Sequence, residues 1–144
     1  MDCVFCRILA GELPGSFVHR GRLISVLMDI QPVNPGHLLI VPNQHAALLG
    51  DLPEDAAAEM FRMGPRCGAA LRRSGLRCEG VNLFLADGEA AMQEIPHVHL
   101  HVFPRFVGDG FGLKFPDRYF QKPQRGELES CAQKIKDALN GLRG

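Results

Sequence analysis

The run Ile95-Pro96-His97-Val98-His99-Leu100-His101-Val102-Phe103-Pro104-Arg105 carries three histidines at alternate positions. An extended chain points successive side chains to opposite faces, so His97, His99 and His101 share one face while Val98, Leu100 and Val102 share the other. Neighbouring histidines on that face would stand about 7 Å apart at Cα. An imidazole titrates near neutral pH and serves as metal ligand, nucleophile or proton carrier. A neutral ring attacks phosphorus, and its phosphoramidate hydrolyses readily, so one hard displacement becomes two easier ones. The ring must be held in one tautomer: a bond from Nδ1–H to a carbonyl leaves the Nε2 lone pair free. Charge building on phosphate oxygens then needs preorganised donors around it. The plainer alternative is a strand with a solvated polar face.

Other residues could join this chemistry. His37 and Gln93 offer donors, and the Ala91–Gln93 stretch offers backbone N–H groups. Asp29 ends an apolar segment, where it either accepts bonds from a ligand or closes an Asx-turn before Pro32. Cys3-x-x-Cys6 supplies two thiolates, and zinc takes four Cys or His ligands. The other reading of that motif is two free thiols. A thioredoxin-like role lacks the βαβ setting it requires.

The elements that must position these groups follow from pattern. Residues 2–12 read as a short helical turn ending near Gly11. Residues 17–19 and 23–29 read as strands with Gly21 and Arg22 in the turn; the second is apolar on both faces, which implies two covers. Pro32, Pro35 and Gly36 make a loop before a third strand over residues 37–41. Residues 52–75 read as one helix, with Pro53 and acids in its first turn and a kink expected at Gly64-Pro65. Residues 80–86 and 96–103 read as the fourth and fifth strands, joined by a Gly- and Ala-rich loop. Residues 106–125 are irregular, and 126–142 form a last helix with Leu128, Ile135, Ala138, Leu139 and Leu142 available for one apolar face. This order describes an α+β domain, an antiparallel five-stranded sheet with helices on one side.

Composition narrows the class. The 144 residues suit a single domain, with 16 basic side chains balancing 16 acidic ones, so no electrostatic grip on nucleic acid or anionic membrane is expected. No run approaches the roughly 20 apolar residues of a membrane helix, and the start lacks a signal-peptide pattern. An odd count of five cysteines fits a reducing, cytoplasmic setting better than a disulfide framework.

Taken together, the triad run, Asp2-Cys3-Val4-Phe5-Cys6-Arg7-Ile8, Asp29-Ile30-Gln31-Pro32-Val33-Asn34-Pro35-Gly36-His37 and Gly88-Glu89-Ala90-Ala91-Met92-Gln93 resemble the histidine triad (HIT) family, whose signature is His-φ-His-φ-His-φ-φ with φ apolar. The resemblance spans residues 2–112; residues 113–144 form a C-terminal segment and helix. It implies cleavage at the α-phosphate of dinucleoside polyphosphates or adenosine phosphoramidates. His99 would be the nucleophile, its tautomer fixed by the His97 carbonyl. His37 and His101 would flank the phosphate, and Gln93 would reach the leaving group. Asp29 would hold the ribose of an AMP-like purine nucleotide. Phe5, Ile8, Leu27 and Ile30 would line the base slot, although each could equally be core. The resemblance also implies a homodimer with a joined sheet and a structural Zn2+ on Cys3, Cys6, His45 and His97.

Two departures stand out. Many relatives carry Asn where this chain has Ala86, and Gly where it has Met92. They motivate an alternative, a nucleotide-binding interaction module with weak residual hydrolysis. A third reading, catalytic metal on the triad itself, conflicts with His97 being claimed by the structural site.

Overall fold

The computed structural model describes residues 2–142. The chain divides into two compact units, residues 1–111 and residues 112–144.

The first unit is built on a five-stranded antiparallel sheet in the order β1-β2-β3-β5-β4, with β1 Phe17–Arg20, β2 Ile24–Met28, β3 Leu38–Pro42, β4 Gly80–Leu85 and β5 Leu100–Arg105. Alternation splits the central strands between two cores. Ile24, Val26, Leu38, Ile40, Leu100 and Val102 face the long helix α2, Glu54–Arg73, whose Ala56, Met60, Met63, Cys67 and Leu71 recur at helical spacing and are buried against them. The opposite face buries Leu27, Leu39 and Val41 under Cys3 and Phe5 of the N-terminal segment, which forms the short helix α1, Val4–Leu9. The helices of this unit therefore take both faces, not one. Burial of the apolar Phe5 and Cys3 seats α1 on the face that carries the histidines.

Helix α2 runs unbroken through Pro65. Gly64 beside it packs closely on β4: a Cβ there would lie 2.7 Å from Leu83 Cδ2, so the Leu83 side chain would have to shift to accept one. Among the described residues no helix is long and apolar enough to cross a membrane.

The triad strand starts later than its pattern suggests. β5 begins at Leu100, so His97 and His99 precede the ladder and only His101 lies within it. Neighbouring strands explain this. Pairing with β3 ends at Ile40↔Leu100 and pairing with β4 at Leu85↔Leu100. Beyond that point β3 closes on Pro42, which has no N–H to offer. Val98 N instead donates to Ala46 O at 2.8 Å, holding the segment extended outside the sheet.

In the second unit, Asp117–Phe120 make a 3-10 turn and α3 spans Arg125–Gly141, opened by a capping box between Gln124 and Glu127. Leu128, Ile135, Leu139 and Leu142 of its apolar stripe are exposed.

Candidate active site and metal cluster

Backbone hydrogen bonds fix the tautomers of His99, His37 and His97. His99 Nδ1 lies 2.8 Å from His97 O; a carbonyl only accepts, so Nδ1 carries the proton and Nε2 the lone pair. Every buried side-chain nitrogen and oxygen among the described residues has a partner, and His99 Nε2 makes no such bond, so it opens to solvent. The ring itself is buried, tilted against Phe5 at 5.1 Å.

His37 stands just before β3, and its Nδ1 accepts from Val33 N at 3.0 Å. The neutral ring must then carry its proton on Nε2, which lies 2.8 Å from His101 Nδ1. His101 in turn keeps its proton on Nε2, facing outward as a donor. Asp29 Oδ2 lies 3.4 Å from His37 Nε2 and 3.7 Å from His101 Nδ1. These three side chains form a cluster of metal-binding type, yet the Val33 N–H leaves His37 Nε2 without the lone pair a cation needs. Burial lowers the pKa of His37, and burial with the neighbouring His99 and His37 pushes His101 down to about 4. Both rings are neutral donors at pH 7.

The residues assigned to the nucleotide divide. Asp29 Oδ1 accepts from Gln31 N at 2.8 Å, so this carboxylate closes a local turn as well as facing the histidines. Ile30 is almost wholly exposed and Ile8 half-buried, whereas Phe5 and Leu27 are packed into the smaller core. Leu27 is thus a core residue rather than a slot wall.

Gln93 departs from its expected part. Its Oε1 accepts from Gly88 N at 2.7 Å, and its Nε2 donates to Ala47 O at 2.7 Å and Ile95 O at 3.0 Å. Both amide hydrogens are committed to backbone, so Gln93 staples the loop before the triad instead of reaching a leaving group. Met92, beside it, adopts φ 70° and is exposed, a left-handed backbone that favours glycine.

A second cluster lies behind His97. Its Nε2 donates to Pro42 O at 2.9 Å, leaving the Nδ1 lone pair for the other side. There Nδ1 is 3.3 Å from Cys3 Sγ, 3.6 Å from Cys6 Sγ and 3.1 Å from His45 Nδ1, with Cys6 Sγ 3.5 Å from His45 Nδ1. Donors arranged tetrahedrally at ordinary Zn–N and Zn–S lengths stand about 3.3–3.8 Å apart. Three of these four separations fall within that spacing and the His45–His97 one just below it, all four atoms lie within 4.8 Å of one another, and Pro42 O is the outer partner a ligating histidine normally has. Burial and Cys3 raise the Cys6 thiol pKa, a tendency a dication reverses. A cavity of about 310 Å³ lies beside the cluster, lined by residues that include Asp2, Cys3, His45 and Glu94.

Sequence reasoning missed Val33, which sets the His37 tautomer, and Asn34, Phe103, Arg105 and Asp109 around it. Only the i,i+4 spacing of Arg105 and Asp109 hinted at a pair.

Comparison with known proteins places these observations. The HIT domain family model matches residues 10–108. The chain is 39% identical over 139 residues to an uncharacterized HIT-like protein of Mycobacterium tuberculosis, covering 96% of this chain and 94% of that one. It is 30% identical to an adenosine 5'-monophosphoramidase of Schizosaccharomyces pombe, over 96% of this chain and 99% of the relative. The solved structure of a Zn-bound histidine triad family protein from Mycobacterium smegmatis superposes with a TM-score of 0.74 at 34% identity, covering 96% of this chain and 98% of that one.

Proposed function

The chain belongs to the HIT family, and from that premise we propose that it is a nucleotidyl hydrolase or transferase acting at an α-phosphate. Its substrates would be adenosine phosphoramidates or dinucleoside polyphosphates. The observation that carries this reading is His99, with Nδ1–H tied to its neighbour's carbonyl and a free Nε2 lone pair. In this reading Nε2 attacks phosphorus and the leaving group departs, giving a nucleotidyl-His99 intermediate; water then attacks the same phosphorus and returns His99. The outward Nε2–H of His101, held by His37, donates to the non-bridging oxygens as charge builds there. Asp29 faces the ribose, Ile8 and Ile30 face the base, and Gln93 keeps the loop in place.

A Zn2+ on Cys3, Cys6, His45 and His97 would be structural, since four protein ligands close its shell. It would tie α1 to the segment that carries His99. A second copy of the chain is proposed to add to the open edge of β4, the last strand of the sheet, where Leu83 and Phe84 are exposed, a surface sheets ordinarily cover. Thiolate ligands and five free cysteines suit a reducing compartment such as the cytoplasm.

The competing reading is a nucleotide-binding module with weak hydrolysis, which the Met92 conformation and Ala86 favour. Steady-state turnover of an adenosine phosphoramidate and of diadenosine polyphosphate separates the two. The enzyme reading expects one of them to be turned over and His99→Ala to abolish it; AMP binding without turnover would favour the module.

A further inference from the structure

We infer that Asp109 is a positioning residue for His37, acting from outside the reacting centre; the inference rests on the reading of His37 and His101 as phosphate-facing groups. The Asp109 side chain is only 2% exposed. Its carboxylate gathers donors from two separate stretches of chain. Arg105 Nε reaches Oδ2 at 2.7 Å and Arg105 Nη2 reaches Oδ1 at 2.9 Å, a bidentate pair. Asn34 Nδ2 reaches Oδ2 at 2.9 Å, and Phe106 N and Phe111 N add 3.3 Å and 3.2 Å bonds. The Arg105 bond holds the carboxyl well below the usual carboxylate range, so it is an anion throughout the working pH range.

Two routes lead from this carboxylate to His37. The polar route runs through Asn34, which is buried and also donates to Pro104 O at 2.9 Å. Asn34 O accepts from His37 N at 3.1 Å, and the adjoining Val33 N sets the His37 tautomer. Asn34 is therefore held by β5 on one side and carries His37 on the other. The aromatic route runs through Phe111, held at N by Asp109 and at O by Arg105 at 2.6 Å. Its ring meets Phe103 edge-on at 5.4 Å, and Phe103 lies 4.8 Å from the His37 ring. Both routes act on the ring that orients His101. A buried carboxylate with this many donors far exceeds what closing the Phe106–Asp109 turn requires. Its reach to Asn34 is the part that a purely local turn does not explain.

Asp109→Asn places an amide N–H against these donors; Asn34→Ala cuts only the polar route and leaves the Arg105–Asp109 pair intact. With an adenosine phosphoramidate as substrate, both variants should lose about tenfold or more in kcat with KM little changed, as small displacements of a reacting group do. Neither should cause further loss in a His37→Ala background. The His37 ring resonances should shift in both variants, whereas those of His45 should not. The inference is overturned if kcat stays within twofold of wild type, if the losses multiply with His37→Ala, or if the His37 resonances are unmoved in a folded variant. If the wild-type protein turns nothing over, the proposed function fails, and the His37 resonances alone still decide the role of Asp109.

Discussion

At the residue scale, backbone groups do most of the ordering. His97 O, Val33 N and Pro42 O each commit one nitrogen of a histidine, which leaves His99 a free lone pair, His37 a donor, and His97 a lone pair facing Cys3, Cys6 and His45. The alternation of the triad was readable from residue types; the His99 tautomer was expected only through the family resemblance, and that of His97 depends on Pro42 O, 55 positions away in sequence. Met92 illustrates a departure with a measurable cost. Its left-handed backbone is tolerated by an unbranched side chain and strained for a branched one, so Met92→Val should lower stability by about 1 kcal/mol while Met92→Gly does not. Denaturant unfolding of the two variants checks this; equal stabilities would remove the strain argument.

At the element scale, the apolar pattern of β2 implied cover on both faces, as the two cores show, whereas the expected architecture placed helices on one side only. The start of β5 was misread because periodicity continues through His97 and His99 while the partner strands stop. Pattern reports which face a residue takes, not whether a neighbour is present to pair with it. The same alternation locates the core under α2. Ile40 is fully buried there, between Val26 and Leu100. Ile40→Ala should cost about 2–5 kcal/mol in urea unfolding, and a loss below 1 kcal/mol would mean that the sheet is not packed as described. Gln93 is a further limit of sequence: its place in the loop was visible, but the three backbone groups that claim it were not.

At the scale of the whole molecule, the structure makes stability depend on pH, and the proposed zinc would add a second dependence. His101 takes a proton near 6.5 when unfolded and near 4 when folded, because burial and its histidine neighbours disfavour the charge. Between these values the unfolded chain binds more protons, so stability is full above about pH 6.5 and lost as pH falls towards 4, at up to about 1.4 kcal/mol per pH unit. The Tm of wild type should fall across that window and that of His101→Gln should fall less; parallel curves would contradict it. One zinc per chain is expected by elemental analysis, and His45→Ala should lose it together with several degrees of Tm. Cys3, Cys6, His45 and His97 could be grouped from sequence only through the family resemblance, since 94 positions separate Cys3 from its partner His97.

The central claim is the free Nε2 of His99 as nucleophile. It is tested most directly by quenching an adenosine phosphoramidate reaction within its first turnover and mapping the nucleotidyl group by mass spectrometry. The account predicts an AMP adduct on the peptide containing His99, formed and lost fast enough to sustain turnover and absent from His99→Ala. Turnover with no adduct, or with the adduct on another residue, would contradict it.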